Sequence, residues 1–195
     1  MPVLTARFHH PLYKDIENLK QKMDMEDCIV RIQKKGKWSE RSKPNSIELS
    51  YKWIEIYNQT PEVVLFVAAC EMVHYKYKEF QKKALSEAFV MFFDEMKASR
   101  LLRDMRGIIE AAYVLELSEE SLLHTLKILK AQGELYTEKS FQGFPDSGKI
   151  AGYCSDARTL TKDKAQVILS DYCKKTVPQN PDALISNVMN DFFSS

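Results

Sequence analysis

The chain is 195 residues long, enough to bury a sizeable core in one large domain or two small ones. Hydrophobic residues make up 45% of it, a fraction that excludes a largely disordered protein. The net charge is +1, so the molecule as a whole does not attract nucleic acid or acidic membranes, and any such binding requires a local patch.

The cysteines and the first residues predict an intracellular protein, cytoplasmic or nuclear. The four cysteines are scattered along the chain: Cys28, Cys70, Cys154 and Cys173. Scattered cysteines without a signal peptide are usually free thiols in a reducing compartment. The first ten residues contain no apolar signal core. The most apolar run, residues 63–73, is interrupted by Glu71 and is too short to span a bilayer.

The first segment predicts a short helix followed by a β-hairpin. After Pro11, apolar residues recur at helical spacing, at Leu12, Ile16, Leu19 and Met23. Residues 28–33 have the composition of a strand, residues 34–36 that of a turn, and residues 37–41 that of a return strand.

Residues 47–53 alternate between apolar and polar side chains, which is typical of a half-buried strand. Leu49, Trp53 and Ile56 also have helical spacing, so a helix is the alternative for this stretch.

The middle of the chain predicts two core helices. Thr60 supplies a capping hydroxyl, Pro61 suits the first helical position, and the helix is apolar nearly all round as far as Val73. Such a helix belongs at the centre of a core. After Ser86, four apolar residues recur at the spacing of an amphipathic helix: Phe89, Phe92, Phe93 and Met96.

The next stretch predicts a helix, a turn, a second helix and a hairpin. The first helix covers residues 108–115, Ser118 can cap the second helix, and Gly133 ends it. The buried stripe of the second helix consists of Leu122, Leu126 and Leu129. Residues 134–138 and 149–153 are strand-like and flank a Gly/Pro loop, so they predict the two hairpin strands.

This order of elements resembles the winged-helix fold over roughly residues 86–153. The resemblance implies a helix-turn-helix whose second helix contacts DNA or another protein, followed by a β-hairpin wing. Beyond the wing, residues 161–173 predict a helix, and Pro181 begins a terminal helix that we expect to pack on the core.

The fold class predicted is therefore mainly α with minor β, a helical bundle carrying a winged-helix module. We divide the chain into an N-terminal segment with a β-hairpin at 1–60, a helical core with the winged-helix module at 61–158, and C-terminal helices that pack on the core at 159–195.

The outer face of the second helix favours a protein partner. The residues predicted to contact it are Leu123, His124, Lys127 and Ile128. Exposed aliphatic side chains read bases poorly and contact proteins well, and Glu119 and Glu120 in the first turn would repel phosphate. We therefore expect a non-enzymatic adaptor or assembly subunit that binds a protein partner or a second copy of itself.

DNA binding, in transcription or replication, is the alternative. Residues 31–43 are rich in cations, with Glu40 as the single acid and one tryptophan, so they could contact phosphates and stack on a base. The residues of this alternative are Lys34, Lys35, Lys37, Trp38, Arg41 and Lys43, joined by Lys139 in the wing. The simpler interpretation is a solvated, charged hairpin without a ligand.

The sequence predicts no enzyme, cofactor, metal or small-molecule site. Residues 143–149 match the G-x-x-x-x-G-K spacing of a phosphate-binding loop, but Ile150 stands where Ser or Thr would hold magnesium. The residues after it do not favour the helix that should follow. His9 and His10 lack a third metal ligand at suitable spacing.

Overall fold

The computed structural model describes residues 10–33, 40–43, 46–79, 94–133 and 141–194, with the backbone alone at 33 and 40–43. These ranges are mainly helical with one small sheet, which confirms a mainly α fold with minor β. The helices are α1 Pro11–Lys22, α2 Lys52–Tyr57, α3 Pro61–Lys76, α4 Asp94–Val114, α5 Glu119–Ala131, α6 Ser147–Cys154, α7 Lys162–Thr176 and α8 Pro181–Phe193. The strands are β1 Val30–Gln33, β2 Glu40–Lys43 and β3 Ser46–Ser50.

The sheet has β3 at its centre, with β1 on one side and β2 on the other. β1 runs parallel to β3, with Val30 opposite Ile47, and β2 runs antiparallel to it, with Glu40 opposite Leu49. The predicted hairpin between residues 28–33 and 37–41 is therefore wrong, because these strands do not pair with each other. All five residues of β3 are buried, which suits a central strand covered on both faces.

The alternating stretch at residues 47–53 covers a strand and the start of a helix. β3 ends at Ser50 and α2 begins at Lys52, and both Trp53 and Ile56 are buried. The strand interpretation is thus correct up to Ser50, and the helical one is correct after it. The prediction of a half-buried strand is wrong, since β3 is buried throughout.

α3 is the central helix of the N-terminal half. Its buried side chains lie on all sides, and it contacts α1, α2, β2, β3, α4 and α5. This confirms its predicted place in the core and Pro61 at its start. The predicted hydroxyl cap is wrong, because the Thr60 hydroxyl donates instead to the backbone oxygen of Ile56, at 3.4 Å.

α4 is the central helix of the C-terminal half. It packs along α3 and also contacts α6, α7 and α8. The helix predicted at 108–115 is the end of this 21-residue helix. Of the predicted aromatic stripe, Met96 is half-buried in α4; Phe89, Phe92 and Phe93 lie outside the described residues.

The link from α4 to α5 is a tight turn. Glu116 adopts the left-handed conformation with φ of 53°, and the Leu117 amide donates to the Ala112 carbonyl at 3.0 Å. The hydroxyl of Ser118 then caps α5 by accepting from the Ser121 amide at 3.1 Å. The predicted cap, the buried leucine stripe of α5 and its end at Gly133, where φ is 75°, are confirmed.

The second strand of the predicted wing is wrong. Residues 149–153 lie in α6, which begins after Asp146, whose carboxylate accepts from the Lys149 amide at 2.9 Å. Ile150 and Ala151 are buried on the inner side of this helix. A short run with one apolar side suits a strand or a helix, and the aspartate cap decides for the helix. The first wing strand, residues 134–138, lies outside the described residues.

The last two helices pack on the rest of the chain as predicted. α7 is capped by Thr161 and buries Ala165, Ile168, Leu169 and Tyr172. α8 starts at Pro181 and lies against α4 and α7. One continuous apolar core extends from Leu12 in α1 to Phe192 in α8.

Two glycines in the left-handed region should respond differently to alanine. A Cβ on Gly133 would meet nothing within 4 Å, so G133A should cost only the backbone strain, about 1–2 kcal/mol. A Cβ on Gly143, where φ is 87°, would lie 2.6 Å from the Tyr172 ring, so overpacking should raise the cost of G143A to about 2–5 kcal/mol. Urea unfolding measures both.

The control for these variants is Gly152→Ala. Gly152 is an exposed residue of α6 with open space around its α carbon, and alanine should stabilise the helix there by about 0.5–1 kcal/mol. Equal destabilisation by G133A and G143A would contradict the packing of α7 against the loop before α6.

Candidate functional site

A groove of about 580 Å³ opens where α4, α5 and α6 meet. We call it the turn groove, because the α4–α5 turn forms one of its walls. Its lining includes five buried or half-buried apolar residues: Ala112, Leu117, Leu122, Ala151 and Ala157. Five exposed polar or aromatic residues also line it: Tyr113, Glu116, Glu119, Asp156 and Arg158. Its volume lies within the range of ligand-binding clefts, and its lining is part apolar and part charged.

The turn groove is acidic. Its lining carries the carboxylates of Glu116, Glu119 and Asp156, and none of the ion pairs between described residues involves them. The Arg158 guanidinium lies 5.5 Å from the centre of the Tyr113 ring. Three carboxylates against one guanidinium leave the groove with an excess of negative charge.

Helix ends add to this negative charge. α4 and α6 both end at the groove, and the C-terminal end of a helix carries a partial negative charge. The chain's own Lys164 already makes use of one of these ends. Its ammonium donates to the backbone oxygens of Tyr153 and Ser155, at 2.7 Å each.

The outer face of α5 differs from its prediction in one respect. His124 and Lys127 are exposed, as expected, but Leu123 and Ile128 are half-buried and pack against the core. Five residues of an α-helix correspond to a rotation of about 140°, so the two aliphatic side chains lie on opposite flanks of the helix. The prediction that all four residues form one exposed patch is therefore wrong, and the exposed face is polar.

Most residues of the nucleic-acid alternative lie outside the described part of the chain: Lys34, Lys35, Lys37, Trp38 and Lys139. Arg41 and Lys43 belong to β2, of which the backbone alone is described. The alternative therefore stays a prediction.

The loop at residues 143–149 differs from a phosphate-binding loop. A helix does follow it, contrary to the sequence prediction. However, the Asp146 carboxylate occupies the N-terminal end of that helix, where a phosphate would bind. The ammonium of Lys149 lies 2.9 Å from an Asp171 oxygen, which also accepts from the Tyr153 hydroxyl at 2.9 Å. The Lys149 hydrogen bond is the main reason that the pKa of Asp171 is lowered to about 2.

A buried ion cluster joins α3 to α4. Its members are His74, Glu79 and Arg106, and we call it the Glu79 cluster. Glu79 follows the end of α3, where its amide donates to the His74 carbonyl at 2.9 Å. Its carboxylate then lies 2.5 Å from Nδ1 of His74 and accepts from the Arg106 guanidinium. Glu79 is only 3% exposed, so both contacts are shielded from water.

A second carboxylate extends this network. Glu110 accepts from the hydroxyls of Tyr77, at 2.9 Å, and Thr159, at 2.5 Å. The Arg106 guanidinium lies over the rings of Tyr77 and Phe192, at 3.7 Å and 4.3 Å from their centres. The network thus links the end of α3, α4, the segment after α6 and α8.

The geometry of His74 suits structure better than catalysis. A histidine held by a carboxylate can act as a general base when its second nitrogen reaches a substrate. The opposite edge of this ring packs against α4, because a Cβ built on Gly107 would lie 3.4 Å from both Cε1 and Nε2. The second nitrogen therefore faces the neighbouring helix.

The cluster shifts the pKa values of its members. Burial lowers the pKa of His74, but the Glu79 hydrogen bond and nearby carboxylates outweigh burial and hold it above 6.5. Burial raises the pKa of Glu79, and the hydrogen bond to His74 together with Arg106 brings it below 4.5. Both groups are therefore charged around pH 6.

Other reactive residues have structural roles. Nδ1 of His10 accepts from the Leu12 amide at 3.2 Å and so caps α1; His9 lies outside the described residues.

Within the described ranges no group of residues is arranged to hold a metal, and no helix is long and apolar enough to cross a membrane. The four cysteines are free. Burial raises the pKa of Cys28 to about 11 and that of Cys154 to about 12, so neither thiol is activated.

The sequence prediction missed both the turn groove and the Glu79 cluster. The sequence places Glu116, an acid, next to the predicted turn. The opposite wall of the groove includes Asp156, which follows α6. Because residues 149–153 were assigned to a strand, the sequence did not predict this wall of the groove. The i, i+4 pair of Arg106 and Glu110 was also visible on one helix. Nothing local indicates that Glu79 joins Arg106 from 27 residues away.

Comparison of the chain with protein-family models, curated proteins and solved structures finds no match.

The Glu79 cluster should make stability depend on pH. Because the folded-state pKa of His74 lies above 6.5, its protonated ring contributes fully below pH 6.5 and loses this contribution as pH rises through the folded-state pKa. We expect the free energy of unfolding to fall on the alkaline side of pH 6.5, and His74→Gln to flatten this slope. Urea titrations at several pH values measure it.

The free energy of unfolding below pH 4.5 provides a second check on the Glu79 cluster. Since His74 and Arg106 lower the pKa of Glu79, its contribution is present above pH 4.5 and is lost as pH falls through the folded-state pKa, and this acid loss should be smaller in His74→Gln, which removes one of the two causes. Identical alkaline slopes for wild type and His74→Gln would show that folding does not raise the pKa of His74.

Proposed function

We propose that this chain is a non-enzymatic protein-interaction subunit, which contacts its partner through the N-terminal half of α5 and the adjoining turn groove. The proposal rests mainly on one observation, the accumulation of carboxylates at the start of α5. Glu119 and Glu120 occupy its first turn, and Glu116 and Asp156 lie beside it in the groove.

This charge distribution favours a protein over DNA. In a helix-turn-helix that reads DNA, the N-terminal residues of the second helix approach the base edges between two phosphate backbones. Four carboxylates at that point would repel the phosphates. A protein surface with complementary cations gains from the same charges, in specificity and in rate of association.

The exposed face of α5 extends this surface. His124 and Lys127 provide hydrogen-bond donors on the side away from the core, and the half-buried Leu123 and Ile128 provide apolar borders on its two flanks. A polar centre with partly exposed aliphatic borders is compatible with a reversible protein interface. α8 is less suited to a partner, because it buries its apolar side against α4 and α7.

The test is the double variant His124→Glu with Lys127→Glu. Partners captured with the tagged wild-type chain are identified, purified and titrated against both proteins. We expect the variant to bind its partner at least about tenfold more weakly, because it removes the two hydrogen-bond donors of this face and places carboxylates opposite the partner acceptors that they contact. Circular dichroism and urea unfolding should show an unchanged fold, since both side chains are exposed.

A matched control is Lys14→Glu with Asn18→Glu. These residues lie on the exposed side of α1 and undergo the same change of charge, counting the histidine as neutral. The control should bind like wild type. Equal binding by all three proteins, or no partner captured by wild type above background, would argue against the proposed surface.

A further inference from the structure

We infer that the turn groove is the docking site for a short basic segment of the partner, with a lysine or arginine among the groove carboxylates and an aliphatic side chain on the apolar lining. This inference rests on the proposed function and names the partner chemistry at one part of that surface.

The shape of the groove suits a short extended or helical segment. Its volume of about 580 Å³ lies in the range of clefts that hold a few side chains. Ala112, Leu122 and Ala151 line this part of the groove, so the small surface that it offers is apolar and carries no long side chain. An aliphatic side chain placed there would lose its contact with water.

The charge of the groove selects a cation. Glu116 and Asp156 follow the ends of α4 and α6, so their carboxylates add to the partial negative charge of two helix ends. Glu119 adds a third carboxylate, and no ion pair between described residues neutralises any of the three. An acidic or phosphorylated segment would be repelled at the same place.

Two contacts within the chain illustrate how a cation is held here. The Lys164 ammonium occupies the end of α6 by donating to two backbone oxygens at 2.7 Å. The Arg158 guanidinium lies 5.5 Å from the centre of the Tyr113 ring, and that ring is still 47% exposed. The carbonyls at the end of α6 are thus already taken, and a basic segment would find three carboxylates and an accessible aromatic ring within one cleft.

Random dodecapeptides displayed on phage and selected against the immobilised full-length chain provide the test. We expect enrichment of peptides that combine lysine or arginine with an aliphatic residue. The enriched peptides are then synthesised with a fluorescein label, and their affinity for the free protein is measured by anisotropy at several salt concentrations. Binding should weaken as salt rises.

The deciding variant is Glu116→Gln with Asp156→Asn, which removes two charges and keeps the shape of the groove. We expect it to weaken peptide binding by about tenfold. The matched control is Asp24→Asn with Glu26→Gln, a second pair of exposed acids that follows a helix end, in which Asp24 has φ of 53°. The control should bind within about twofold of wild type.

Three results would overturn the inference: enrichment of acidic or uncharged peptides, no enrichment at all, or equal binding by wild type and the groove variant. The double variant His124→Glu with Lys127→Glu separates this failure from failure of the proposed function. Partner binding lost in that variant but unaffected by the groove variant would leave the α5 surface standing and exclude the groove. Partner binding unaffected by either variant would contradict both.

Discussion

The pairing of α3 with α4, closed by Glu79, is the contact on which the rest of the structure depends. α3 carries the sheet, α1 and α2, whereas α4 carries α6, α7 and α8, so the two halves meet along these helices. At one end of the pair, the Glu79 carboxylate contacts His74 of α3 and Arg106 of α4. A buried charge without its partner is strongly destabilising, so this contact favours one arrangement of the helices over any that separates them.

The proposed contact surface follows from that arrangement. α4 extends past the Glu79 cluster and ends at the α4–α5 turn, where Glu116 in the left-handed conformation directs the chain into α5. α6 packs beside α4 and α5, and its end faces the same turn. The carboxylates of the turn groove therefore come from three segments that the core holds in fixed positions. A site supported in this way can be selective without a lid or a cofactor.

The sequence predicts those features of the fold that depend on residues close to one another in the chain. Pro61, Ser118, Gly133 and Pro181 lie at helix ends, and the residues around each of them are enough to predict its position. Strand pairing is not local: nothing in residues 28–43 indicates that β3, further along the chain, would pair with both earlier strands. Residues 149–153 suit either a strand or a helix, and the strand prediction is wrong because the Asp146 cap stabilises the helix. Because the end of α6 forms part of the turn groove, a strand at these residues does not predict the groove.

The most direct test of a protein partner, rather than nucleic acid, is fluorescence anisotropy of a labelled random-sequence DNA duplex titrated with the purified chain, from low to physiological salt. We expect no rise in anisotropy even at low salt, because the start of α5 presents carboxylates to any approaching phosphate. Tight binding with a steep dependence on salt would mean that several phosphates are contacted, and it would contradict a surface that selects a protein over DNA.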